Sequence, residues 1–430
     1  MNQFISSKII IKRVRPFLTV AFGIILGFIL FTLIELLFFI NTKWNFLPQY
    51  YLQKTYPQTS GKHLNRLLAK MDLAFLNTLE VKQITYLQQI ASEGTLLYRF
   101  EPNDIWDNNH HMLPDKKFHQ TAYLSKSNRI IYETTCSIDK FGRRQLPEFP
   151  PAKKNNFLLF FGCSYTFGVG IEDNKIFPAL MAQQLKSYKV YNFGTPGYAP
   201  NDILASFENF TIKNEGIKEA SGVSFYIYID DHMQRLLGTV KFISRYFYES
   251  TRPYYEETEL GPVLKGTFET GRPILTKFYK FIGKLNFVNY FNIDLPIISD
   301  NKLNFFAQII NELKKETTKR FNSKELYFVI FPGENKYAFN LIPHLTKLNI
   351  PVIDFSQLNL AQLLKNNNNI PYDVHPSELT HKFFADLLIT YLEDNNLLSQ
   401  VLQSGPLVNI KNHPSIKPNS TILQTKHKQK

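Results

Sequence analysis

The chain has 430 residues, 44% hydrophobic and 20% charged, a length that accommodates two or three folded units and a composition that excludes wholesale disorder, collagen and coiled coil. Two cysteines, Cys136 and Cys163, exclude a disulfide framework and a four-thiolate zinc site. The formal net charge is +13, of which residues 1–44 carry +4 and 401–430 carry +5; the +4 left for the body is too little for a phosphate-binding surface, so nucleic acid is not an expected partner.

Residues 1–16 form a short basic N-terminus holding Lys8, Lys12, Arg13 and Arg15. The 24 residues 17–40 carry one charge, Glu35. At 1.5 Å per residue such a helix reaches about 36 Å, enough for a hydrocarbon core of about 30 Å. With no small-x-small cleavage site after it, this stretch reads as an uncleaved signal anchor. The basic flank puts the N-terminus in the cytoplasm and the rest of the chain on the periplasmic or extracytoplasmic side. Gly23 and Gly27 make a GxxxG spacing that reads as a chance pair rather than a dimer face.

Residues 41–95 form a stalk, helical from about 45, with Leu64, Leu67, Leu68, Met71, Phe75 and Leu79 at helical intervals. Residues 96–150 change to short β segments, notably 129–138, and make a small β module. His110, His111 and His119 fall in its polar loops, where no carboxylate or thiolate has matching spacing, so they read as solvated side chains and not as metal ligands.

From 156 to 396 apolar strands (157–161, 190–193, 223–229, 326–331, 351–355) alternate with amphipathic helices (174–186, 201–213, 302–319, 336–348, 377–393), the pattern of a parallel sheet covered on both faces. Active sites in such sheets gather beyond the carboxyl ends of the strands. An aromatic-rich insertion, 236–300, interrupts the alternation with Phe242, Tyr246, Phe247, Tyr248, Tyr254, Tyr255 and Phe268. A hairpin using these rings as its own small core is expected, with a sugar or acyl platform as the alternative. The polar, basic stretch 404–430 reads as a disordered tail.

The sharpest local feature is the run Phe161-Gly162-Cys163-Ser164-Tyr165-Thr166-Phe167-Gly168, directly after the first apolar strand. A serine on such a turn exposes its hydroxyl, with its N–H near a helix start where an attacked carbonyl is received. At the far end, Tyr372-Asp373-Val374-His375-Pro376-Ser377 precedes the last helix. A serine hydroxyl needs an imidazole to take its proton and a carboxylate to hold that imidazole; His375 and Asp373 are of the right types. A Gly/Ser turn without reactivity and a turn-capping His375 are the plain alternatives.

Together these blocks resemble the SGNH (GDSL-type) hydrolase superfamily over about residues 156–396, in a membrane-anchored, bacterial-type form. The first block, usually Gly-Asp-Ser, is matched by Gly162-Cys163-Ser164, and the second by Asn192-Phe193-Gly194-Thr195-Pro196-Gly197-Tyr198. The resemblance implies a three-layer α/β/α flavodoxin-like fold with a parallel sheet, here preceded by a transmembrane helix and the small β module. It also implies a catalytic set of Ser164, Asp373 and His375, with N–H groups of Ser164 and Gly197 forming the oxyanion hole. The third block departs from the pattern: Asp230, in Tyr228-Ile229-Asp230-Asp231-His232, stands where the family places an oxyanion-donating Asn. An ionised carboxylate there repels a developing oxyanion, so Asp230 is protonated, or His232 or another group donates, or hydrolysis is weak.

Only one of Cys163 and Ser164 can face His375, because successive side chains leaving a strand point opposite ways; the resemblance selects Ser164 and leaves Cys163 as a buried thiol. A Cys136–Cys163 disulfide stays open. The expected function is a membrane-anchored serine esterase acting on acyl esters, O-acetyl esters of envelope glycans among them, through an acyl-serine intermediate. The same residues would serve an O-acyltransferase, and a non-catalytic glycan-binding or assembly protein on this scaffold is the alternative of a different class. No cofactor or metal is required. The sequence leaves the oligomeric state, acyl group and acceptor open.

Overall fold

The computed structural model describes residues 93–398 apart from 103–104, 108–110, 151–153, 210–211, 213–215 and 334, together with 23–24, 26–40, 67, 70 and 71. The basic N-terminus, most of the stalk and the tail lie outside the described residues. Residues 23–24 and 26–40 are helical, with most of their apolar side chains exposed. Among the described residues no helix is long and apolar enough to cross a membrane, and the expected span 17–40 extends beyond them. Of the stalk, Leu67 is fully buried against the main domain, and Lys70 pairs with Asp394 there.

The module is a three-stranded antiparallel meander of β1 (Leu96–Glu101), β2 (Lys117–Leu124) and β3 (Ile130–Ser137). In β2 the side chains alternate between buried and partly exposed, as a strand half covered on one face requires. Then comes β4 (Asn156–Gly162), buried along its whole length. It is followed by α1 (Ser164–Phe167), α2 (Phe177–Gln184), β5 (Tyr188–Gly194), α3 (Pro200–Glu208), β6 (Ser221–Tyr228) and α4 (Asp231–Leu237). The insertion holds α5 (Val240–Arg245), the hairpin β7 (Pro253–Thr258) and β8 (Gly261–Thr267), α6 (Pro273–Ile282) and α7 (Asn286–Tyr290). The chain ends with α8 (Asp300–Phe321), β9 (Ser323–Ile330), α9 (Ala338–Lys347), β10 (Val352–Asp354) and α10 (Glu378–Asp394).

The five strands β10, β9, β6, β4 and β5 pair in that order, all parallel. Counted along the domain this is the order 2-1-3-4-5, the flavodoxin-like arrangement, in which the order reverses at the first strand. Both faces are apolar because successive side chains point opposite ways. Phe157, Leu159 and Phe161 of β4 pack with α3, α8 and α9, whereas Leu158 and Phe160 pack with α2 and α10. The expected three layers are therefore present, with boundaries within a few residues of those read from periodicity. The insertion differs from the expected simple hairpin. Helices make up much of it, and Phe242 and Phe268 are buried in its small core with Val240, Ile243, Tyr279 and Val288.

Arg144, at the end of the module, fastens it to the sheet. The side chain is 0% exposed and donates to the carbonyls of Phe167, Gly168 and Ile171 at 3.1, 2.7 and 2.5 Å while pairing with Asp173 at 2.9 Å. These carbonyls lie in the turn that follows Ser164, so the module holds the outer half of that turn. Removing one partner of a buried charged network typically costs about 3–5 kcal/mol. Arg144→Ala is expected to lose stability on that scale, read from its urea midpoint at unchanged slope.

Candidate active site

The candidate nucleophile sits where β4 stops. Gly162 and Gly194 end adjacent strands in register, and both positions exclude a side chain. A Cβ at Gly162 would come within 2.2 Å of Thr166 Oγ1, and one at Gly194 within 2.4 Å of Phe167 N. The missing side chains let the turn 163–167 fold back onto the strand ends. Cys163 is the N-cap of α1, and its carbonyl accepts from Thr166 N and Phe167 N at 3.0 and 2.9 Å. Ser164 is the first helical residue and 6% exposed. Asn192, in the second motif block, is structural: its amide nitrogen donates to Thr166 O at 2.9 Å and its oxygen accepts from Gly194 N at 2.9 Å.

The acid and the imidazole form a pair. His375 Nδ1 lies 2.7 Å from Asp373 Oδ1, which also accepts from His375 N at 3.1 Å. The loop bearing them is pinned at both ends: Ile370 N donates to His375 O at 3.0 Å, and Ser377 caps α10 by accepting from Thr380 N. Tyr165 brings this loop to the nucleophile's helix, donating to Val374 O at 2.9 Å with its ring 6.2 Å from that of His375. Among the described residues the Ser164 hydroxyl makes no hydrogen bond to the imidazole; such contacts are commonly long without substrate and tighten on binding.

Sequence reasoning missed the third partner of Asp373. Tyr98, on β1 of the module, donates to Asp373 Oδ2 at 3.1 Å, and Arg129 of the module donates to Tyr372 OH at 2.6 Å. Tyrosines in a short β segment carry no signal that they face a loop some 275 positions on. Burial by itself pushes the Asp373 carboxyl up, but the hydrogen bonds and charge of His375, with the Tyr98 hydroxyl, outweigh it and hold the group below the usual carboxylate range.

For the oxyanion, the N–H groups of Ser164 and Gly197 are both left open: among the described residues neither makes a hydrogen bond. Gly197 has φ +81°, a left-handed conformation suited to glycine, and a Cβ there would meet Arg252 Nη2 at 2.7 Å. Asp230 does not face this position. Its Oδ1 accepts from Tyr228 OH at 2.9 Å and Tyr337 N at 3.4 Å, and its Oδ2 accepts from Lys336 N. Burial pushes its carboxyl up to about 6 against these bonds, which leaves it ionised at neutral pH and committed to the loop before α9. His232 is fully buried, with Nδ1 2.7 Å from Tyr226 OH and Nε2 without a partner among the described residues, and burial holds its pKa well below the ordinary range.

Arg235, outside every motif block of the sequence, also meets the second of these turns. It donates to Tyr198 O at 3.0 Å, next to Gly197, and pairs with Asp231 at 3.4 Å. Arg252, from the insertion, backs the same turn through Asp202 at 3.3 Å. Both cysteines are free and buried, so the Cys136–Cys163 disulfide is not formed. His111 meets Asp107 at 3.0 Å and Ser206 at 3.4 Å, and His119 lies 3.4 Å from Thr135; His110 lies outside the described residues. Among the described residues no group of acidic, histidine or cysteine side chains could hold a metal ion.

No family model matches the chain, and no curated protein does. Among solved structures it is similar to a member of the lipolytic protein G-D-S-L family from Veillonella parvula, at 11% identity over 55% of this chain and 97% of that one, with a TM-score of 0.31. It is similar also to Axe2, an acetylxylan esterase from Geobacillus stearothermophilus, at 13% identity over 56% and 94% with a TM-score of 0.31. A third is LAE5, an alpha/beta hydrolase enzyme from the metagenome of Lake Arreo, at 12% over 57% and 97% with a TM-score of 0.32. The strand order, and not these likenesses, fixes the fold.

Tyr98→Phe should slow acylation by serine-directed reagents by about tenfold, the equivalent of about 1.4 kcal/mol, and lower the thermal midpoint, because one oxygen of a buried carboxylate loses its donor. The two aspartates drive opposite pH limbs. Asp373, held low, contributes stability that is present above about pH 4 and lost as the pH falls through its folded value, so Asp373→Asn flattens the acid limb of the melting profile. Asp230, pushed up to about 6, contributes stability present at acid pH and lost as the pH rises through that value. Asp230→Asn should therefore gain more thermal stability at pH 8 than at pH 4, with the acylation rate unchanged.

Proposed function

We propose that the protein is a membrane-anchored serine esterase of the SGNH type. The observation that carries this reading is the 2.7 Å Asp373–His375 pair, brought by Tyr165 to the helix that begins with Ser164, at the strand where the sheet order reverses. Ser164 Oγ attacks the ester carbonyl as its proton passes to His375 Nε2, and the new C–O bond forms a tetrahedral oxyanion held by the N–H groups of Ser164 and Gly197. The bond to the alcohol breaks as Nε2 returns the proton to the leaving oxygen. Water, activated in the same way, then releases the acid. Asp373 keeps the imidazole in the productive tautomer and stabilises the imidazolium. Asp230 takes no part, since its two oxygens are held by the Tyr228 hydroxyl and the backbone at 336–337.

The substrate class we favour is O-acetyl esters of envelope glycans. Tyr98 and Tyr246 are 42% and 53% exposed, and Tyr246 is close enough to act on Tyr98 electrostatically. Tyr98 stands beside the buried Asp373, and amphipathic rings of this kind suit sugar faces. The anchor reading rests on the apolar stretch and the basic residues before it, with the catalytic domain on the extracytoplasmic side. Transfer of the acyl group to a sugar hydroxyl instead of water uses the same residues, and counting acetate released against acetyl carried onto an added oligosaccharide separates the two.

The test is labelling of the full-length protein in detergent with a serine-directed fluorophosphonate. Ser164 should be labelled, Ser164→Ala should be unlabelled, and His375→Ala should lose at least about a thousandfold in rate, within the range reported for removing one triad member. A folded wild-type protein that stays unlabelled would overturn the enzyme reading in favour of a non-catalytic glycan-binding role, which the absence of a bond between Ser164 and His375 among the described residues would then explain.

A further inference from the structure

The insertion presents an apolar face that its own core does not use. On α6 the residues Thr276 and Tyr279 turn inward, while Ile274, Phe278 and Phe281, at intervals of four and three, form one stripe with Leu275 beside it. Ile274 is 85% exposed and Phe281 59%. Three apolar residues in register along one helix face need a partner, and none of the elements packed on α6 supplies it. Lys277 and Lys284 flank the stripe, both exposed.

A second observation shows what lies next to this face. Glu35, the single charge of the apolar stretch 17–40, accepts from Asn286 N, Phe287 N and Asn286 Nδ2 at 2.7, 3.0 and 3.3 Å. Phe38 packs against Phe287, Tyr290 and Phe291, with ring centroids 5.6, 4.7 and 5.4 Å apart. The apolar N-terminal helix is therefore docked on α7, which follows α6 after a short turn. Glu35 precedes Ile40 by five residues, or about 7.5 Å along a helix axis, and an in-plane amphipathic helix lies about 5–10 Å into the boundary between headgroups and acyl chains.

We propose that Ile274, Leu275, Phe278 and Phe281 lie in the surface of a phospholipid bilayer, making α6 an in-plane membrane contact beside the N-terminal helix. Lysines flanking such a stripe reach the phosphates while their stems cover apolar surface. A second copy of the chain fits less well. A ten-residue helix offers far less than the roughly 800 Å² per partner of a stable interface, and self-pairing would set lysines against lysines. The inference is independent of the ester chemistry and takes only its depth from the anchor reading.

The test uses the full-length protein in vesicles of phosphatidylcholine and phosphatidylglycerol, with an environment-sensitive fluorophore on Phe278→Cys or Phe281→Cys. The native thiols are buried and stay unlabelled. Phe339→Cys, at an exposed apolar position on α9, is the control, and Leu30→Cys reports the anchor separately. Lipids brominated near the ester end of their chains should quench the probes at 278 and 281 and leave that at 339 bright, and Lys277→Glu with Lys284→Glu should weaken the quenching. Probes at 278 and 281 as bright as that at 339 would overturn the proposal whatever Leu30 reports. So would unquenched probes together with cross-linking between copies of the unlabelled Phe278→Cys variant. Quenching at 278 and 281 without quenching at Leu30 by mid-chain bromines keeps the surface contact and removes the anchor.

Discussion

A carboxylate taken out of water must be met by donors, and the arrangement around Asp373 follows from that requirement. Its side chain is 1% exposed, and burying an unpaired carboxylate is worth several kcal/mol against folding. The donors come from two places: the ring and backbone N–H of His375, two residues on, and the Tyr98 hydroxyl from the separate β module. To deliver Tyr98, the module must sit against the loop at 370–376, and Arg129 and Arg144 hold it there. The same loop must then start α10, which Ser377 does by capping. Burial of one acidic side chain thus ties together the module, the last helix and the turn that carries Ser164.

The other half of the site depends on close backbone approach. With no side chain at Gly162 or Gly194, the turn after β4 folds over the strand ends, and the carbonyls it exposes on its outer side are taken up by Arg144. The turn at Gly197 is braced differently. Arg252 from the insertion fills the space a Cβ at Gly197 would need, and its charge is met by Asp202. Arg235 also donates to that turn, at Tyr198 O. Both arginines are paired with carboxylates, Asp231 and Asp202, so they brace the backbone more than they charge it.

The layered α/β architecture was legible because continuous apolar strands and period-3.6 helices alternate along 156–396, and both patterns are local. The Asp373–His375 pair was legible because both residues sit in one short block with recognisable turn chemistry, and Ser164 was singled out on the same kind of signal. The partners Tyr98, Arg144, Arg235 and Arg252 were not, since their roles depend on which loops the sheet order brings together and no local period encodes that. Asp230 shows the limit from the other side. Its position in the motif points to the oxyanion, but its side chain follows the backbone donors before α9. The aromatic insertion was read as a self-contained hairpin because its rings alone do not say which face remains uncovered. The structure divides them between a core around Phe268 and the outward stripe at 274–281.

The bond between Tyr98 and Asp373 bears on what counts as one unit in this molecule. Composition marks a boundary near residue 150, and the α/β domain beyond it contains every residue of the proposed catalytic set. Separated there, however, the domain would keep its serine, imidazole and carboxylate yet expose one oxygen of that carboxylate and the outer half of the nucleophile's turn to water. The module is thus less an appendage than a wall of the candidate site, and a piece of the chain that keeps this carboxylate covered must begin before β1.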